Sequence, residues 1–187
     1  FGIHGHHTHT CSPMFVRIGR TKDGEEAVQI YEYERVRGVA FGITAYLPED
    51  SKVLFIKGHA ENLSDNDTFG YWWSNGAINE TPGTRVVVPT DETFIGAYVD
   101  GRHVLTVRPI PMQDGVDKSY PSRSDRAVDY FYKIPKNALE KWEAAIEENG
   151  IGSLQVSTNE LWGRKLFVWG DSIGGHNWSV FLGSEGD

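Results

Sequence analysis

Residues 28–62, VQIYEYERVRGVAFGITAYLPEDSKVLFIKGHAEN, decide the fold. Three runs within this stretch, VQIYEYERV, VAFGITAYL and VLFIKGHAEN, are rich in β-branched and aromatic residues and are separated by turn formers. They predict consecutive antiparallel strands. Side chains alternate along a strand, so Ile30 shares a face with Glu32 and Glu34 while Tyr31, Tyr33 and Arg35 take the other. Such a mixture suits a sheet with one packed face and one lining a groove or solvent.

Ahead of these runs, residues 17–26 contain KDGEE and predict a solvated hairpin end. Behind them, residues 61–82 read ENLSDNDTFGYWWSNGAINETP. Asn62, Ser64, Asp65, Asn66 and Asp67 are turn formers whose side chains compete with the backbone for hydrogen bonds, which ends a strand near Asn62. A second strand is then expected, in which Phe69, Tyr71 and Trp73 alternate with Gly70, Trp72 and Ser74. The two indoles therefore point to opposite faces, one packing and the other turned outward to bind. A tryptophan face suits the C–H face of a sugar ring, and Asn75 or Glu61 can supply directional hydrogen bonds to hydroxyls. The competing reading puts both indoles in the core.

Further along, RVVVP, ETFIGAYV and HVLTVRPIP continue the strand series, with Asp100-Gly101 as a two-residue hairpin signal. Residues 112–126 are polar and aperiodic and predict a long connection, from which Tyr120, Arg123 and Arg126 can reach a ligand cleft. AVDYFYKI returns to strand periodicity. Residues 138–149 predict the one helix: Asn137 caps it, Glu140 takes the capping-box position, Gly150 ends it, and Leu139, Trp142 and Ile146 form its apolar stripe. SLQVST, RKLFVWG and WSVFL predict closing strands around the turn DSIGGHN, where Trp169, Asp171, His176 and Trp178 can line a cleft. Residues 170–175 lack the glycine spacing and following helix of a phosphate loop. About ten short strands with one helix indicate an all-β sandwich or barrel.

Composition narrows the partners. With 187 residues, 39% of them hydrophobic and 24% charged, the chain suits one globular domain with a substantial core. A net charge of -8 without a basic patch argues against nucleic acid and anionic membrane, and no apolar run reaches the length of a membrane span. A carbohydrate partner is compatible with that balance. Cys11 is the only cysteine, which excludes an internal disulfide and a cysteine-based zinc cluster. Asn-x-Ser/Thr sites occur at Asn62, Asn66, Asn79 and Asn177.

Residues 1–13, FGIHGHHTHTCSP, hold four of the seven histidines. On an extended strand His4 and His6 share one face, and His7 and His9 the other. The pattern can serve as a divalent-metal site through His4, His6, His7 or His9, joined by a carboxylate or by His59 or His103. It can equally place a histidine as general acid or base near neutral pH, or be a polar loop without chemistry.

Three segments carry a resemblance: FGIHGHHTHTCSP, ENLSDNDTFGYWWSNGAINETPGTRVVVPTDE and LWGRKLFVWGDSIGGHNWSVFL. Together they resemble a bacterial family within the galactose mutarotase-like, carbohydrate-acting superfamily. The resemblance implies a β-supersandwich whose concave face holds a sugar, and no required cofactor. In mutarotases a histidine protonates the ring oxygen and a glutamate takes a proton from the anomeric hydroxyl. His4 or His6 is the nearest match to that acid, His7 lies beside them, and Glu61 and Asp171 are the candidate carboxylates. Where mutarotases carry a second histidine before an aromatic and an asparagine, this chain has Trp72, Trp73 and Asn75, so that mechanism does not transfer whole. The expected ligand-binding set is Trp72, Trp73, Asn75, Trp169, His176 and Arg123. The family's acidic residue beyond the closing strand has no counterpart before Asp187, so the chain is expected to be a fragment completed by a further segment or another chain. Three readings follow: a hydrolase, lyase or epimerase acting on glycosides; a non-catalytic carbohydrate-binding module; and a metal-dependent sugar enzyme using the histidine cluster.

Overall fold

The computed structural model describes residues 9, 11–68, 70–169 and 173–182. The chain divides into two compact units, residues 1–74 and 75–187. Each is all-β in its sheets, as the strand periodicity predicts.

The first unit is a four-stranded antiparallel meander of β1 (Phe15–Arg20), β2 (Glu26–Glu34), β3 (Val39–Tyr46) and β4 (Phe55–Asn62) in sequence order. Chain reversal between β2 and β3 is built by local chemistry. The Glu34 carboxylate accepts from the backbone N–H groups of Val36 and Arg37 at 2.7 and 2.9 Å, and Gly38 takes the left-handed conformation at φ 69°. Residues 17–20, expected within the hairpin end, belong to β1, because each of them has a partner on β2. Register then sorts the side chains. Val16, Ile30, Ile43 and Gly58 lie abreast on one face, as do Ile18, Val28, Ala45 and Ile56. Phe15, Tyr31, Gly42 and His59 lie abreast on the other.

The second unit contains β5 (Arg85–Val87), β6 (Glu92–Val99), β7 (Arg102–Pro109), β8 (Met112–Gln113), β9 (Val116–Asp117), β10 (Val128–Lys133), β11 (Lys141–Ile146), β12 (Gly152–Ser157), β13 (Gly163–Val168) and α1 (Ile173–Leu182). Its sheets run β13-β10-β6-β7 and β12-β11-β5, with β8-β9 as a small hairpin. Asp100 and Gly101 both have positive φ, 48° and 72°, as a two-residue hairpin between β6 and β7 requires. Ile95, Val128, Tyr130, Tyr132 and Val168 form the core, with Val88, Ile110 and Leu166 packed against them. Arg164 of β13 donates to the Lys141 carbonyl of β11 and, at 2.7 Å, to the Ser157 hydroxyl of β12, joining the two larger sheets.

Several segments differ from expectation. Residues 138–149 are not a helix: Lys141–Ile146 pairs with β12 on one side and β5 on the other. Six residues paired with β12, three of them also paired with β5, outweigh a local stripe spaced by three and four. Gly150, expected to end a helix, instead turns the β11–β12 hairpin at φ 79°, and Asn149 accepts from the N–H of Ile151 at 2.8 Å. Conversely, WSVFL is not a strand but part of α1. A helix satisfies its own backbone groups without a sheet edge. Trp178 meets Phe167 of β13 edge-on at 5.4 Å, which docks α1 on its sheet. Residues 112–126, expected as an unstructured connection, contain the β8–β9 hairpin and a short 3-10 turn at Pro121–Arg123.

Candidate functional site

The segment following β4 realises the alternation of its aromatics without joining a sheet. Trp72 lies on Gly58 of β4 so closely that a Cβ at position 58 would stand 2.8 Å from the indole Cε2. Only glycine leaves room there. Half-burial of Trp72 turns its neighbours outward: Tyr71 is 71% exposed and Trp73 37% exposed. Those two rings meet edge to face at 6.4 Å and 86°. An outward aromatic pair is the geometry that a flat C–H surface can cover.

Upstream, the loop after β4 is knotted by side chains. Asn62 accepts from both the N–H and the hydroxyl of Ser64 and donates to the Asn66 carbonyl at 2.8 Å. The N–H of Leu63 donates to the Gly38 carbonyl at 2.8 Å, tying this loop to the β2–β3 turn. Between them opens a cleft of about 400 Å³, lined by Tyr33, Arg35, Arg37, Asn66 and Asp67 among others. Its walls offer guanidinium, carboxylate, amide and phenol groups, a set suited to hydroxyl-bearing ligands.

The sequence-predicted residues divide between the units. Glu61 is exposed on the β4 face opposite Gly58, so it does not share a side of the sheet with Trp72. His9 is half-buried in a turn, 6.3 Å from the Phe41 ring. His4, His6, His7 and Asp171 lie outside the described residues. In the second unit Asn75 is exposed, and Arg123 lies over the Tyr120 ring at 4.1 Å, with Arg85 at 5.5 Å from the same ring. Trp169 is half-buried against Phe167 at 5.2 Å and belongs to the packing beneath α1. His176 is exposed on α1. No group of three metal-ligating side chains occurs among the described residues.

A buried polar cluster in the second unit escaped the sequence reading. Lys141 is 0% exposed, and its ammonium donates to the carbonyls of Pro135, Lys136 and Ala138 at 2.9, 3.2 and 2.8 Å. Beside it on the same strand face, burial pushes the Glu143 carboxyl up to about 7, and only the nearby Arg164 charge opposes this. Burial also raises the Tyr132 phenol, helped by Glu143 and Tyr130, so it stays protonated. Burial lowers Arg164, against the pull of Glu143. KWEAAI carries no local signal for this cluster, because the burial of Lys141 and Glu143 follows from strand pairing with distant segments. Lys141, Glu143 and Tyr132 are buried and Arg164 is half-buried, so the cluster belongs to the interior of this unit.

The molecule is thus a protein of antiparallel sheets with an exposed aromatic and polar surface in its first unit. The chain belongs to the family described as a domain of unknown function (DUF5107), which matches residues 1–187. Neither a curated protein nor a solved structure matches it.

Proposed function

We propose that this protein acts on carbohydrate within a galactose mutarotase-like fold, taking a sugar at the surface formed by Tyr71, Trp73 and the polar cleft beside β4. The observation that carries the reading is the docking of Trp72 on Gly58, which leaves Tyr71 and Trp73 exposed as an aromatic pair. A ring face of the pair suits the C–H side of a pyranose, and Arg35, Asn66 and Asp67 in the cleft suit hydroxyls. Catalysis in this reading is glycoside processing by acid and base, with His4 or His6 as acid, His7 beside them, and Glu61 or Asp171 as carboxylate. The superfamily resemblance of the histidine segment supports that assignment, and fold alone does not.

The second reading is a carbohydrate-binding module without turnover. The position of Glu61 favours it, since this carboxylate stands on the β4 face away from Trp72. Proton NMR of a reducing-sugar and aryl-glycoside panel with wild type, His6→Ala and Trp73→Ala separates the two. Anomer exchange or cleavage that disappears in His6→Ala supports the enzyme. Ligand broadening without turnover, lost only in Trp73→Ala, supports the module. Silence across the panel removes sugar as the ligand.

A further inference from the structure

The β1–β4 sheet carries a second surface, on the face away from Gly58. Three rows cross it: Phe15, Tyr31, Gly42 and His59; then Arg17, Gln29, Thr44 and Lys57; then Gly19, Ala27, Tyr46 and Phe55. Phe15 and Tyr31 stack at 5.7 Å and 26°, and Tyr46 and Phe55 stack at 5.1 Å and 12°. Phe15, Tyr31 and Phe55 are exposed. These pairs rise at opposite corners, with their rows about 13 Å apart along the strands at the usual rise per residue. The middle row is floored by the half-buried Gln29 and Thr44 and spans about 14 Å from Arg17 to Lys57 at the usual strand spacing.

Charge is sorted across this sheet. Alternation places Glu26, Glu32 and Glu34 of β2 on the opposite face. Glu61 stands one row beyond Tyr31, level with Tyr33, outside the trough. Within it, Arg17 donates to the Gln29 side chain at 2.5 Å and lies 5.6 Å from the Tyr31 ring, while Lys57 lies 5.6 Å from the Tyr46 ring. Neither cation pairs with a carboxylate among the described residues, whose ion pairs are Arg20–Glu26, Arg108–Asp114 and Lys165–Asp129. Two such cations, held against aromatic walls in a chain of net charge -8, mark a local positive trough.

From this geometry we infer that the trough binds an acidic oligosaccharide, a uronate-bearing chain laid over Gln29 and Thr44 with its carboxylates toward Arg17 and Lys57. The aromatic pairs cover sugar C–H faces, the floor meets hydroxyls, and the length suits several sugar residues rather than one. This inference rests on the proposed carbohydrate function but uses none of the Tyr71–Trp73 surface.

Calorimetric titration of the full chain with tetramers of galacturonate, mannuronate and hyaluronan, against cellotetraose and a polyglutamate peptide, tests it. At low salt at least one uronate tetramer is expected to bind more tightly than both comparators. Changing Arg17→Gln together with Lys57→Gln should weaken it about tenfold, as loss of charge-assisted bonds predicts. Tyr31→Ala should weaken the uronate and leave the fold's circular dichroism intact. Neutral sugar binding with no uronate preference overturns the inference while leaving the proposed function standing. Undiminished uronate binding in the double variant, or equal binding of polyglutamate, also overturns it. Failure of every glycan overturns both.

Discussion

In the second unit Tyr130, Tyr132, Val128, Val168 and Ile95 close over one another, and Ile134 is 0% exposed. In the first unit Ile18 is 83% exposed, and Val16, Ile56, Phe15 and Tyr31 are exposed as well. Both regions are antiparallel sheets with similar period-two patterns, yet the second gathers one set of its apolar residues into a closed cluster, leaving Leu105, Leu154 and Val156 exposed outside it, while the first displays most of its own. Pattern creates a face; a second layer creates a core. The second unit has that layer, bridged by Arg164, and gains burial on the order of 25 cal/mol per Å² of apolar surface removed from water. Large exposed apolar and aromatic faces are instead the mark of a binding surface.

The strongest blow to that contrast falls on Lys141. Lys141→Met leaves the carbonyls of Pro135, Lys136 and Ala138 without their ammonium, and about 4 kcal/mol of stability should be lost. The urea midpoint of the second unit measures it. A loss below about 1 kcal/mol would mean that water satisfies this turn in place of the ammonium.

Glu143 sharpens the comparison through pH. Its carboxyl is raised from 4.5 to about 7 in the folded protein, so the native state keeps a proton that the unfolded chain releases across that window. Stability is therefore greatest below the unfolded value, falls as pH rises from 4.5 to about 7, and levels off above it. The fall is roughly 3 kcal/mol, from the free energy of one pKa unit. Glu143→Gln should flatten that slope in pH-dependent denaturation, and a wild-type profile already level from about pH 5 to 8 would remove burial of this carboxyl as its cause.

A matched pair of isoleucines tests the contrast directly. Ile134→Ala should cost about 3 kcal/mol, as a cavity in a closed core does. Ile18→Ala should change stability by less than about 0.5 kcal/mol. Equal costs would break the comparison, because they would require Ile18 to be covered in solution.

Much of the fold was legible. The strands from Val28 to Asn62 and the Asp100-Gly101 hairpin follow from alternation and turn chemistry, which act within a few residues. So does the opposition of Trp72 and Trp73. That Trp72 is the one that packs was not legible, because Gly58 lies fourteen residues upstream and nothing local links the two. Glu143 was missed for a related reason: its burial depends on a second sheet supplying Tyr132 and Arg164.

The sequence by itself determined an acidic, β-rich chain whose side chains alternate between two faces and whose turns fall at glycine, asparagine and aspartate. Tertiary structure alone decided that residues 141–146 are strand and residues 173–182 helix, against their local patterns. The physical reason is common to both. Backbone hydrogen bonds must be satisfied by whichever partner is present, and strand partners come from distant parts of the chain that no short window contains.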